Sequence, residues 1–125
     1  MQNDVRRRVL VVDDDEAIRT MVERVLRREK FDVDSARDGF EAIDKLARND
    51  YDAILLDLMM PRIDGLGVLD FLRKHRPELG RNVIVMTANV PAATDAVRAG
   101  GVARVLAKPF DLQDLLQSVQ ARVAV

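Results

Sequence analysis

Apolar residues occur along this chain in short runs, each of which stops at a polar residue or a turn signal. Five runs are rich in β-branched residues and too short for helices, so we predict five strands. These strands are Arg8–Val12, Phe31–Ala36, Ala53–Asp57, Val83–Met86 and Val102–Ala107. Four are nearly continuously apolar, which is typical of parallel strands covered on both faces. In Phe31–Ala36 apolar and acidic residues alternate, so we place this strand at a sheet edge.

Helix-length segments separate the predicted strands. The clearest is Glu16–Glu29, where apolar residues recur at the spacing of one helix face: Ile18, Met21, Val22, Val25 and Leu26. The remaining predicted helices start at Asp38-Gly39, run from about Leu66 to His75, extend from Pro91 to Gly100-Gly101, and follow a cap at Asp111. The helix after Pro91 offers mostly alanines as apolar residues, so we expect it to be the least firmly held.

The regular alternation of strand and helix predicts a single α/β domain over residues 1–125, with 1–7 as an N-terminal tail and no output domain. Right-handed crossovers allow the first and third strands to lie side by side, with the second strand outside the first. We therefore expect a three-layer, doubly wound (βα)5 sheet of the flavodoxin-like type. Its winding direction would reverse between the first and third strands, where such sheets bind their ligands.

Reactive side chains follow four of the predicted strands at the point where each strand ends. Asp13 and Asp14 follow the first strand, Asp57 ends the third, Thr87 follows the fourth and Lys108 follows the fifth. Because the carboxyl ends of parallel strands meet at one edge of a sheet, we expect these five side chains to converge. The pattern predicts a candidate active site.

Three carboxylates placed together repel one another, and the low dielectric at a sheet end increases that repulsion. A divalent cation would offset it, and magnesium prefers one or two carboxylates together with water and phosphate oxygens. The competing interpretation is that the acidic run merely caps the first helix. That interpretation accounts for Asp15 and Glu16 but leaves Asp57 unexplained, so we favour a metal site.

Composition narrows the possible functions. The chain has no cysteine and a net charge of −1, which excludes thiol chemistry and argues against a nucleic-acid surface. Its apolar runs are too short to span a bilayer, so we expect a cytoplasmic protein without a membrane partner. We interpret the basic run Arg6-Arg7-Arg8 as a solvated tail that leads into the first strand.

The motifs, taken together, resemble the receiver domain of bacterial two-component response regulators, in particular the chemotaxis-regulator type. The matching segments are Val9 to Asp15, Leu55 to Pro61, Asp64-Gly65, Val85 to Ala88, Ala99-Gly100 and Lys108-Pro109-Phe110. The resemblance implies a parallel sheet of order 2-1-3-4-5 with two helices on one face and three on the other. It also implies self-catalysed phosphoryl transfer and slow autodephosphorylation, without the turnover of a conventional enzyme.

The resemblance further implies a role for each residue of the candidate site. Asp57 would accept a phosphoryl group from a sensor histidine kinase or a histidine phosphotransfer protein. Asp14 and Asp57 would hold Mg²⁺ or Mn²⁺ with the backbone carbonyl of Met59, and Asp13 would act directly or through water.

The same resemblance assigns roles to the residues that follow the fourth and fifth strands. Thr87 and Lys108 would hydrogen-bond the phosphoryl oxygens, and the Lys108-Pro109 peptide bond would be cis. The switch would involve Thr87 and position 105, and the signal would pass to a downstream protein that the sequence does not identify.

Two positions affect these expectations. Position 105 is commonly aromatic in the family and is valine here, which places the family's usual aromatic readout in question. Met59 stands two residues beyond Asp57, where family members help to set the lifetime of the phosphoryl group. Because methionine orients water poorly, we predict a longer-lived phosphorylated state.

Three other functions compete with the phosphorylation switch. Val105 supports a receiver-like interaction module that works independently of phosphorylation. A flavin or nucleotide carrier would need a phosphate-binding Gly/Ser/Thr loop after the first strand, where this chain has acids. An aspartate-based hydrolase would need a second acid two residues after Asp57, where Met59 stands.

Overall fold

The computed structural model describes residues 6–60, 62–88, 90–99 and 102–123. Its five strands are β1 Arg8–Val12, β2 Asp32–Ala36, β3 Ala53–Asp57, β4 Val83–Thr87 and β5 Val102–Ala107. All neighbouring strands are parallel, and their order is β2-β1-β3-β4-β5. The helices are α1 Glu16–Arg28, α2 Gly39–Arg48, α3 Gly65–His75, α4 Pro77–Gly80, α5 Val90–Ala99 and α6 Leu112–Val123. The predicted fold class and strand order are confirmed.

Helices cover the sheet on both faces and create two apolar cores. Alternate residues of each central strand point to opposite faces, so Leu10 and Ile54 enter one core while Val9 and Leu55 enter the other. The first core is completed by apolar residues of α2 and α3, and the second by those of α1 and α6. Every residue of β3 and β4 is buried, as expected for central strands covered on both faces.

The two edge strands differ from the central strands in burial. The alternating strand β2 lies at one edge, as predicted, and Val33 and Ala36 are its buried residues. At the other edge, β5 is less covered than its apolar sequence suggested. Ala103, Arg104 and Ala107 are exposed, and β5 pairs with β4 across an irregular register between Val83 and Ile84.

Aspartates fix the start of several helices. Asp15 accepts hydrogen bonds from the backbone N–H groups of Ala17 and Ile18, and Asp38 accepts one from Glu41. Such caps pair amides that the first helical turn leaves without partners. Asp15 therefore caps the N-terminus of α1, as predicted.

Three sequence predictions need correction. No helix was predicted between His75 and the fourth strand, but Pro77–Gly80 forms the short helix α4, because proline suits the first turn of a helix. Helix α5 starts at Val90 and not at Pro91. Arg8 is not part of a solvated tail, because its guanidinium donates to Asp34 at 3.0 Å and lies 5.0 Å from the centre of the Tyr51 ring.

Some predicted features fall outside the described residues. Pro61, at the end of the matching segment Leu55 to Pro61, belongs to this group, as do the predicted helix end at Gly100-Gly101 and most of the predicted N-terminal tail. Among the helices that the structure describes, none combines the length and the apolar character needed to cross a membrane.

Candidate functional site

The carboxyl ends of the strands bring the predicted acidic residues together. Asp13 and Asp14 follow β1 and Asp57 ends β3, and one carboxylate oxygen from each lies within 4.8 Å of the others. Asp13 is fully buried and Asp57 is 4% exposed, whereas Asp14 is open to solvent. The site therefore has a buried base formed by two carboxylates and one open side.

Lys108 lies at the base of this cluster. Its Nζ is 2.8 Å from Asp13 Oδ2 and 3.2 Å from Asp57 Oδ2, so one ammonium group bridges two buried carboxylates. The backbone N–H of Lys108 donates to the Thr87 carbonyl at 2.9 Å, which joins the ends of β4 and β5. The structure has a cis peptide bond between Lys108 and Pro109, and Thr87 is buried at the same edge.

Burial and charge pairing oppose each other at both Asp57 and Lys108, and the pKa of each group is raised. Burial raises the pKa of Asp57, against the hydrogen bond from the Met59 N–H and the nearby charge of Lys108. Burial alone would lower the pKa of Lys108, but hydrogen bonding to Asp13 and the charges of both aspartates outweigh it and raise that pKa. Lys108 is thus held as a cation, while the ionised form of Asp57 is less favourable than that of a carboxylate exposed to water.

Backbone contacts orient the acidic side chains. The Met59 N–H donates to Asp57 Oδ1 at 3.0 Å, and the Asp15 N–H donates to Asp13 Oδ1 at 2.9 Å. The Met59 side chain is 54% exposed. The carboxylates of Asp13 and Asp57 therefore each have one oxygen held by an amide and a second oxygen that faces Lys108.

Sequence reasoning missed Arg19 as part of this arrangement. Its Nη1 donates to the backbone carbonyl of Asp13 at 2.8 Å, so α1 holds the turn that carries the acidic pair. Arg19 reaches back to a carbonyl six residues earlier in the chain, and the pattern of apolar residues does not predict such a contact. The nearest signal was the placement of Arg19 one turn after the Asp15 cap.

Val105 lies in the middle of β5, opposite Val85 of β4. Its side chain is half-buried and packs against the core formed by α2 and α3. The predicted switch position is therefore occupied by a short branched side chain that is already in contact with the core.

The donor set suits a hard divalent cation. Three carboxylates supply oxygen ligands at one point, and the open side at Asp14 leaves room for water. Lys108 pairs with Asp13 and Asp57, so it offsets part of the repulsion among the three carboxylates. A bound Mg²⁺ would add its charge next to Lys108 and hold Asp57 in its ionised form.

An apolar cleft opens beside the site. It encloses about 290 Å³ between α1 and the segment after β5, and it is lined by Ile18, Met21, Ala88, Lys108, Pro109 and Phe110. The cleft places an apolar surface next to the ammonium group that contacts Asp57.

Fold and site together define a flavodoxin-like α/β protein with an acidic, metal-suited pocket at the carboxyl edge of its sheet. Residues 9–120 match the family described as response regulator receiver domain. The chain belongs to this receiver-domain family of two-component systems.

Individual proteins support the same assignment. Response regulator MprA of Mycobacterium sp. (strain KMS) is 41% identical over 114 residues, which cover 91% of this chain and 49% of that protein. The chain thus spans about half the length of the curated relatives it matches.

Two solved structures are similar as well. The receiver domain of Francisella response regulator 1452 aligns with a TM-score of 0.84 at 31% identity, covering 94% of this chain and 96% of that one. The Thermotoga maritima response regulator TrrA, solved in complex with magnesium and BeF, aligns with a TM-score of 0.81 at 31% identity, covering 93% and 98%.

Proposed function

We propose that this domain accepts a phosphoryl group on Asp57 from a phosphohistidine of a sensor histidine kinase or phosphotransfer protein, in a Mg²⁺-dependent reaction. The observation that carries the proposal is the position of Asp57. Its buried carboxylate is within 4.8 Å of two other carboxylates and 3.2 Å from the Lys108 ammonium. A metal ion and an ammonium at one carboxylate are what phosphoryl transfer requires.

The chemistry balances with residues at the site. An oxygen of Asp57 attacks phosphorus, the P–N bond of phosphohistidine breaks, and the imidazole keeps the electron pair. Lys108 is held as a cation and can donate to a phosphoryl oxygen, as can the hydroxyl of Thr87. A bound Mg²⁺ would neutralise charge on the phosphoryl oxygens, with Asp13, Asp14 and Asp57 as its carboxylate ligands. Water later cleaves the acyl phosphate and returns the carboxylate.

The phosphodonor would dock on α1 and the segment after β5. The apolar cleft between them lies directly beside Lys108, so an apolar side chain seated there would bring a neighbouring phosphohistidine close to Asp57. Phosphorylation would then change protein–protein interactions at α5, β5 and α6, which follow the ends of β4 and β5 where Thr87 and Lys108 lie.

The experiment is intact mass spectrometry after incubation with acetyl phosphate and Mg²⁺. We expect one adduct of about 80 daltons on the wild type and none on Asp57→Asn or after chelation of the metal. The matched control is Asp52→Asn, because Asp52 precedes β3 and lies at the opposite end of the strand from Asp57. That control should be phosphorylated like the wild type.

The second candidate is an interaction module that works independently of phosphorylation, and Val105 is the observation that favours it. An unmodified but folded wild-type protein would contradict the phosphorylation proposal. Partner binding that is equally tight for wild type and Asp57→Asn, with and without acetyl phosphate, would establish the second candidate.

A further inference from the structure

The loop between β3 and α3 is closed at its base. The Gly65 N–H donates to the Leu58 carbonyl at 3.0 Å. A Cβ at Gly65 would lie 2.5 Å from the Leu58 Cα and 2.6 Å from the Asp57 carbonyl oxygen, so no larger residue fits there without movement. The first turn of α3 is thus packed directly on the strand end that carries Asp57.

Near the end of this loop, Ile63 lies between glycines of two different helices. A Cβ at Gly39 in α2 would be 2.2 Å from the Ile63 carbonyl oxygen and 2.6 Å from its Cβ. A Cβ at Gly67 in α3 would be 2.7 Å from the Ile63 Cγ2. All three distances are shorter than van der Waals contact, so the absence of a side chain at each glycine is what lets Ile63 fit.

These two contacts, which we call the glycine latch (Gly39, Ile63 and Gly67), have rigid surroundings. Asp38 caps α2 immediately before Gly39, and Asp64 accepts the Gly67 N–H at 3.0 Å. Gly39 is the first residue of α2 and Gly67 lies in the first turn of α3, so both glycines meet Ile63 where their helices begin. Ile63 itself is half-buried and packs against the core formed by α2 and α3.

The loop that the latch holds is the one that contacts the site. Met59 lies four residues before Ile63, and its N–H donates to Asp57 Oδ1. The described residues of this loop are thus anchored at two points, on the strand end through Gly65 and on α2 and α3 through Ile63.

We propose that Ile63 is a positioning residue for the metal site, because the glycine latch fixes the loop whose Met59 backbone meets Asp57. The inference rests on the proposed function, since it concerns the Mg²⁺ that the acidic cluster would bind. Ile63 would touch neither the metal nor the phosphoryl group. Displacing it should move the Met59 backbone relative to Asp57 and weaken metal binding.

The test is Gly67→Ala, measured by calorimetric titration with Mg²⁺ and by thermal unfolding without metal. Alanine favours a helix more than glycine does, so a purely local effect would leave stability equal or higher and metal affinity unchanged. The latch predicts that Mg²⁺ affinity falls about tenfold, the size of effect typical of residues that support metal ligands. Lys74→Ala on the exposed side of the same helix is the matched control and should bind Mg²⁺ like the wild type.

A second, independent test uses the Ile63 Cγ2 atom, which a Cβ at Gly67 would contact. Ile63→Val retains Cγ2, so Gly67→Ala should remain harmful in that background. Ile63→Ala removes Cγ2 and should itself weaken Mg²⁺ binding, but adding Gly67→Ala to it should cause no further loss. This arm remains informative if Gly67→Ala alone folds poorly.

The outcomes separate the latch from the proposed function. A folded wild-type protein that does not bind Mg²⁺ would contradict the proposed function. Wild-type binding with an unchanged affinity in Gly67→Ala and Ile63→Ala would overturn the latch alone. An equal loss from Gly67→Ala in the Ile63→Ala and Ile63→Val backgrounds would also overturn it, because the effect would then be independent of Cγ2.

Discussion

Lys108→Met is the substitution that most directly tests how the acidic site is stabilised. Methionine retains much of the length of the lysine side chain but removes the ammonium group that lies 2.8 Å from Asp13 and 3.2 Å from Asp57. Two buried carboxylates then face each other without a counter-charge. We expect a large loss of folding stability in the absence of metal.

The magnitude follows from burial. Removing one partner of a buried ion pair costs about 3–5 kcal/mol, because the remaining charge is left uncompensated. The Lys108 side chain is 16% exposed and Asp13 is fully buried, so we expect a value near the lower limit, about 3 kcal/mol. A domain with about 5–15 kcal/mol of stability remains folded after this loss.

The assay is urea unfolding followed by circular dichroism, with EDTA and then with excess Mg²⁺. Added Mg²⁺ should restore part of the stability, since the ion replaces the lost charge; at ten times its Kd it contributes about 1.4 kcal/mol. Lys74→Met is the control, because Lys74 is on the surface and its side chain is 67% exposed. That control should change stability by less than about 0.5 kcal/mol.

A double-mutant cycle with Asp57→Asn decides whether charge is the cause. In the Asp57→Asn background Lys108→Met leaves one buried carboxylate fewer, so its cost should be smaller. An equal cost in both backgrounds, or a cost below about 1 kcal/mol in the wild type, would refute the reasoning.

Three further outcomes follow from the site. Because burial raises the pKa of Asp57, the ionised carboxylate destabilises the folded state at neutral pH. Asp57→Asn should therefore melt at a higher temperature than the wild type at neutral pH without metal. The difference should shrink as the pH falls, and circular-dichroism melts measure it. Met59→Asn should shorten the lifetime of the phosphorylated state, followed as decay of the adduct mass, because an amide can orient the attacking water. Arg19→Met should lower Mg²⁺ affinity in calorimetry through loss of the contact with the Asp13 carbonyl, whereas Arg28→Met, at an exposed position of the same helix, should bind normally.

Much of the fold could be predicted because the strands are defined by local pattern. The bounds of β1, β3 and β5 agree with their apolar runs, and the alternation in β2 correctly indicated an edge. The meeting of Asp13, Asp14 and Asp57 could also be predicted, because parallel strands end at one edge. In each case the signal lies in consecutive residues or in a rule of topology.

Features that depend on long-range packing could not be predicted in the same way. The close approach of Ile63 to Gly39 joins residues of different units, and a lone glycine in a sequence does not identify the atom it accommodates. The exposure of β5 could not be predicted either, because the apolar composition of a strand does not show how much of it the neighbouring helices cover.

The contacts between β4 and β5 bear on how a signal could leave the site when position 105 is valine. The Lys108 N–H donates to the Thr87 carbonyl, and Thr87 is paired with Ala107, so the two strand ends form one hydrogen-bonded unit. If Thr87 and Lys108 both contact the same phosphoryl group, they are drawn toward one point and the ends of both strands move with them. Val105 is short, branched at Cβ and packed against the core, so it has few rotamers to exchange. We therefore expect the change at β5 to be a displacement of backbone and not the rotation of a side chain.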